Sequence, residues 1–329
     1  MIKINKTCLL LMAIFSFNNL TAQDPISLNI YFFSYDEKPT DKNTAPYIVA
    51  VFKKSTTDIL WQREMYYNKK SQHLASKGLS KDSTGIIREG EFTYLYESGK
   101  NWKTGKYNNS KKEGEWKEWD ENGMLTGKMN YTNGHMTGLN LKWLKDGTIS
   151  DSIVLDDKGT GKAKGFFNDS SSNYEGVYKD GAKEGAWVYY YPVPSNQKCM
   201  IAQYVKDSAM SFTCFNEKGE AQQKDCVFER EANYPGDIEA WQQYIGNALG
   251  KTRAEKYLPE GGRYRIMIRF IVNKTGAVTD AYIEDPGPID ELNEAALKII
   301  KNSRKWIPAV QYNRKVNAYR RQPLTFAVD

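Results

Sequence analysis

Apolar or aromatic residues alternate with polar ones along the first two thirds of the chain. Stretches 27–35, 47–53 and 59–67 repeat this pattern at period two, the spacing of a strand with one covered face. Further on the alternation becomes a repeat. Gly90-Glu91-Phe92 leads through Leu95 to Gly99, Gly114-Glu115-Trp116 through Trp119 to Gly123, and Gly138-Leu139-Asn140 through Trp143 to Gly147; the starting glycines are 24 residues apart. A fourth copy, Gly185-Ala186-Trp187 with Tyr190, starts 47 residues after Gly138. Three copies are preceded by Tyr107-Asn108-Asn109, Tyr131-Thr132-Asn133-Gly134 and Tyr178-Lys179-Asp180-Gly181. Asn, Asp and Gly tolerate positive φ, so each period predicts two short strands joined by tight turns. One copy adds about 10 Å of sheet. Asn140 takes an aromatic position, and the copy near 161–167 is degenerate. Trp61 and Tyr66-Tyr67 mark a diverged first unit, so a β-rich domain is predicted over residues 23–228.

The texture changes at Glu229. Asp237 can cap a helix whose residues Ile238, Trp241, Ile245, Ala248 and Leu249 share one face. Tyr264, Ile266, Ile268, Phe270 and Val272 line one side of a strand. Asn273-Lys274-Thr275-Gly276 turns the chain, and 277–284 returns as the partner strand. Leu292, Ala295, Ala296, Ile299 and Ile300 follow helical spacing from Asp290; Pro308 ends helical structure, and 316–328 supplies a last strand. The order predicts helices on one face of a three-stranded antiparallel sheet.

Two resemblances attach to these segments. Residues 85–194 resemble the MORN-type repeat family, in which hairpins add edge to edge into an antiparallel sheet. Residues 230–329 look like the TonB C-terminal domain family. The matching pieces are Tyr234-Pro235-Gly236, Val272-Asn273-Lys274-Thr275-Gly276 with Val278-Thr279-Asp280, Lys305-Trp306-Ile307-Pro308-Ala309, and the strand after Arg314-Lys315-Val316. The resemblance implies a non-enzymatic domain that binds partners, such as plug segments of outer-membrane receptors, by accepting a strand at its sheet edge. Edge physics agrees, because unpaired N–H and C=O groups template an extended peptide. The expected edge is the final strand, where Pro323 is tolerated because it needs no ladder donor. The candidate partner-binding residues are Arg314, Lys315, Val316, Tyr319, Arg320 and Arg321. Members that transduce energy carry a membrane anchor and a Pro-rich spacer, whereas the 11 prolines here are scattered.

Composition refines this reading. Lys3 and Lys6, an apolar run from Leu9 to Phe17, and Thr21-Ala22 have the form of a signal peptide over 1–22, with cleavage before Gln23. An uncleaved anchor is the alternative, although Asn18-Asn19 stops the run short of the roughly 20 residues a span needs. The expected location is the periplasm or cell envelope. In that oxidising setting Cys214 and Cys226, flanking a polar turn, are the favoured disulfide and Cys199 is left over; three unpaired cysteines are the alternative. Net charge is +6, and eight Lys or Arg between Lys298 and Arg321 are uninterrupted by any acid. Such a field attracts acidic peptides, glycans or head groups, or is an ordinary solvated face; export argues against nucleic acid. The two histidines, His73 and His135, lack metal-ligand neighbours, and no nucleophile or phosphate motif occurs. No catalytic residue, cofactor or metal is assigned. The aromatics, 13% of the chain, are candidate contacts for glycan, peptidoglycan or protein, or simply cover their own sheet. Two functions compete: an envelope binding scaffold, and an anchored transducer serving outer-membrane receptors with the repeat sheet as spacer.

Overall fold

Sixteen antiparallel strands, from Ser27–Phe33 to Ala221–Gln222, form one sheet in which each strand neighbours the next in chain order. The computed structural model describes residues 27–68, 73–257 and 262–328, so the expected export signal at 1–22 lies outside them. By contacts the chain divides into two compact units. The first runs to Trp187 and includes Gln203–Met210; the second joins Val188–Ala202 to Ser211–Asp329.

Within the first unit the turns follow their residues. Asn109 and Ser110, Asn133 and Gly134, Asp180 and Gly181, and Lys206 and Asp207 each give two successive positive φ values, between 47° and 88°. That is the turn whose twist matches a two-residue hairpin. The alternate connections use an Asp or similar residue followed by Gly, as where Gly123 N–H donates to the Asp120 carbonyl at 2.9 Å. The register is repetitive too, with Gly90 opposite Tyr107, Gly114 opposite Tyr131 and Gly161 opposite Tyr178. The stretch around 161–167 is therefore a full member of the ladder.

Packing between hairpins depends on a ring lying over a glycine of the preceding strand. A Cβ at Gly105 would sit 2.1 Å from Trp116, one at Gly176 2.2 Å from Trp187, and one at Gly78 2.3 Å from Phe92. Each indole also donates to the carbonyl beside its glycine, Trp116 Nε1 to Lys106 and Trp187 Nε1 to Val177, both at 3.1 Å. Lys112 and Lys183 then cover the two indoles at 4.8 and 4.3 Å. Trp116, Trp187 and Phe92 are almost wholly buried. Asn140, in the ring position of its own copy, is buried and uses its amide instead. It accepts from Asn130 N–H at 2.8 Å and donates to the Thr137 and Gly138 carbonyls at 3.0 Å.

In the second unit, helices α1 (Asp237–Gly250) and α2 (Asp290–Lys301) pack with a three-stranded antiparallel sheet. Its central strand is Gly262–Val272, flanked by Val278–Asp285 and by Ala318–Val328. Ile266, Ile268, Phe270 and Val272 are buried against Trp241, Leu292, Ala296 and Ile300. Asp237 does not cap α1. Gly236, at φ 86°, holds the cap position, and the Asp237 carboxylate accepts from Asn233. A second small sheet, absent from the sequence reading, pairs Glu229–Arg230 with Ala309–Gln311 and the latter with Arg314–Val316.

Candidate functional site

Three of the four matching pieces of the C-terminal segment meet at Trp306. Its ring lies 4.8 Å from Trp241, 5.4 Å from Tyr234 and 5.8 Å from Phe270. Its backbone N–H donates to the Gly276 carbonyl at 2.8 Å, and its indole N–H to the Ser303 hydroxyl at 3.3 Å. Gly276 has φ 82°, and a Cβ there would fall 2.0 Å from the Trp306 carbonyl, so only glycine lets the turn approach this closely. The Asn273 side chain holds the same turn, accepting from Thr275 N–H at 2.9 Å and Ala277 N–H at 3.0 Å. Arg304 stacks on the Tyr234 ring at 4.8 Å and donates to the Pro235 carbonyl. These residues build the scaffold that presents the sheet edges.

The two edges differ. Val278–Asp285 pairs with the central strand through a register broken twice, and Asp280 has φ 49°. Bulges of this kind blunt an edge against further pairing. Ala318–Val328 pairs with the same strand through eleven consecutive partners, from Val272 opposite Ala318 to Gly262 opposite Val328, with no shift. It is terminal in its sheet, and among the described residues no other strand pairs with it. The 3-10 turn Ala254–Lys256 packs beside it, with Ala254 contributing to the apolar core. Pro323 sits opposite Met267 without disturbing the ladder. Side chains alternate across this strand. Leu324 and Phe326 enter the core, and Gln322 accepts from Trp241 Nε1 at 2.8 Å.

The predicted partner-binding residues separate under this geometry. Tyr319, 76% exposed, lies on the solvent side with Arg321. Arg321 donates to Glu284 at 2.6 Å, and Glu284 also faces Arg269 at 3.7 Å, so one carboxylate bridges two arginines set opposite each other. Arg320 points to the other side, donating to the Ala232 carbonyl and facing Glu231 at 3.5 Å. Lys315 is exposed and Val316 half-buried in the small hairpin before the strand. Arg314 is turned inward, with Nη1 donating to the Tyr190 carbonyl at 2.7 Å. It is only 8% exposed, and burial draws its guanidinium below the ordinary range. The structure therefore gathers Tyr319, Arg320 and Arg321 along one edge and leaves Arg314 as an internal tie. The eight-cation run is also less bare than its sequence, since Glu284 and Glu231 reach it from elsewhere in the chain.

That internal tie belongs to a cluster not foreseen from sequence. Tyr312 stacks on Tyr189 at 3.6 Å, Tyr312 N–H donates to the Phe228 carbonyl at 2.7 Å, and Asn313 Nδ2 donates to Gln222 at 2.8 Å. Cys214 and Cys226 are joined by a disulfide close in sequence to these contacts, and burial pushes the Cys199 thiol up to about 11. A β-turn such as Tyr312-Asn313 carries no period, so only its Asn offered a signal.

Among the described residues no cluster of His, Cys, Asp and Glu could hold a metal ion, and no helix is long and apolar enough to cross a membrane. Residues 261–328 match the family of the Gram-negative bacterial TonB protein C-terminal. The match spans the hairpin, α2 and the final strand; it omits α1 and the whole repeat sheet. This segment is thus similar to a TonB-type domain of the Gram-negative envelope. No curated protein matches the chain.

Proposed function

We propose that the protein is a non-enzymatic binding scaffold of the bacterial cell envelope, with its C-terminal domain reading extended peptide segments by strand addition. The supporting observation is the unbroken eleven-residue register that leaves Ala318–Val328 terminal and regular while the opposite edge is bulged. A partner segment laid along it would complete a fourth strand. Tyr319 and Arg321 would flank it on one face and Arg320 on the other, favouring acidic partner side chains. Plug segments of outer-membrane receptors fit this description. In the same reading the sixteen-stranded sheet is of MORN type, residues 1–22 are removed on export, and the boundary near 228 separates sheet from reader.

A photo-crosslinking residue placed at Tyr319 in the full chain, expressed in its own cell, is expected to trap an envelope protein. The same probe at Tyr282, half-exposed on the opposite edge, is expected to trap none. Equal capture at both positions, or none at either, overturns strand addition at the final strand. Mass spectrometry finding a mature chain that still holds residues 1–22 would favour the anchored transducer.

A further inference from the structure

The repeat sheet carries a cavity of about 270 Å³ in the first unit, between the turn after the first strand and the strands Arg88–Leu95 to Lys111–Trp119. It lies just below the ~300–1,000 Å³ of small-molecule sites, room for one ring-sized fragment. Its rim is aromatic and wet: Tyr35 is 83% exposed and Trp102 42%. Tyr35 meets Tyr47 at 5.9 Å and Trp102 meets Tyr94 and Tyr96 at 6.3 and 6.1 Å, yet both rings stay far more exposed than Trp116 or Trp187.

The wall is polar and positively charged. Arg88 donates to the hydroxyls of Tyr94 and Tyr107 at 2.8 and 3.1 Å, and stacks on the Tyr107 ring at 4.6 Å. Glu37 is shared between Arg88 at 3.5 Å and the buried Arg63 at 3.1 Å, so one carboxylate serves two guanidinium groups. Lys103 is matched by Glu118 at 2.7 Å. Lys112 has no such match. Its ammonium lies half-buried over Trp116 and Tyr131 at 4.8 and 4.7 Å, and among the described residues no carboxylate reaches ion-pair distance. Burial draws its pKa down, as for a cation short of counter-charge. Lys112 is thus the cavity's cation without a carboxylate of its own, set where aromatic faces line the opening.

We propose that this cavity binds an acidic saccharide, one carboxylated sugar residue of a longer chain. A pyranose ring has an apolar C–H face to lie on Trp102 or Tyr35, and hydroxyls at its rim for the tyrosine and guanidinium groups. Its carboxylate meets Lys112. An acyl chain would leave these hydroxyls and charges without partners when it displaced their water. The site belongs to the first unit, and its binding does not depend on strand addition at the final strand.

Isothermal titration of the full chain with oligogalacturonate, the matched neutral galactose oligomer and anionic phospholipid vesicles tests this. Saturable binding of the acidic oligomer is expected, with the neutral one about tenfold weaker or worse, the worth of one charge-assisted bond. Lys112→Gln should remove that preference while leaving weak binding of the neutral oligomer. Trp102→Ala, which removes a 42%-exposed ring beside Tyr94 and Tyr96, should weaken both sugars about tenfold with an unchanged circular dichroism spectrum. No binding of either sugar at millimolar concentration, equal affinity for both, binding of the vesicles alone, or insensitivity to both variants overturns the proposal.

Discussion

The two units are held together by opposite strategies. In the repeat sheet Phe92, Trp116 and Trp187 each answer a glycine one strand away, and each strand pairs only with its sequence neighbours, so stability is largely a sum of local terms as in other linear repeats. In the C-terminal unit one cluster joins residues as distant as Tyr234, Trp306 and Phe326. Damage to the first should therefore stay local, and damage to the second should spread.

Trp306→Ala should break that contrast most visibly. It removes a ring packed on three others and costs about 3–5 kcal/mol. The lower thermal transition should fall or vanish while the β signal of the repeat sheet persists; a single shared loss in calorimetry would show that the units are not independent. Next comes Cys226→Ser, which opens the twelve-residue separation to Cys214. The disulfide is worth about 3 kcal/mol for a loop of this size, and reductant should shift the wild-type transition equally but leave the variant unmoved. Gly105→Ala drives a methyl into Trp116 and should cost about 1–3 kcal/mol. Hydrogen exchange should quicken only in the strands near 101–132. The smallest effect is expected for Glu284→Gln, which leaves Arg269 and Arg321 facing each other without their bridge. Because Arg321 is 59% exposed, the loss should stay below about 1 kcal/mol and shrink with added salt in urea titration.

Much of this was legible in the sequence, for physical reasons. Asn-Gly and Asp-Gly pairs fix turns locally, so the 24-residue period announced its strands and turns. The alternation of Ile266, Ile268, Phe270 and Val272 likewise announced a covered face. Other features were illegible because their meaning lies on a neighbouring strand. Gly105 reads as a mere break in a strand until Trp116 is placed above it. Arg314 and Arg321 are alike in sequence, yet one meets the Tyr190 carbonyl inside the unit and the other Glu284 at the surface. The bulges that blunt Val278–Asp285 leave no mark in its hydrophobic pattern. The cavity rim combines Tyr35 with Trp102, which no periodicity connects.

The pairing of Gly262–Val272 with Ala318–Val328 also sets an order of events at the ribosome and beyond. Hairpins of the repeat sheet close between neighbours, so they can zip up one after another as the chain emerges. The central strand of the second unit must instead wait for a segment made more than forty residues later. Until then its apolar face has no sheet partner on that side, and this interval is when the molecule is most open to chaperones, proteases and self-association.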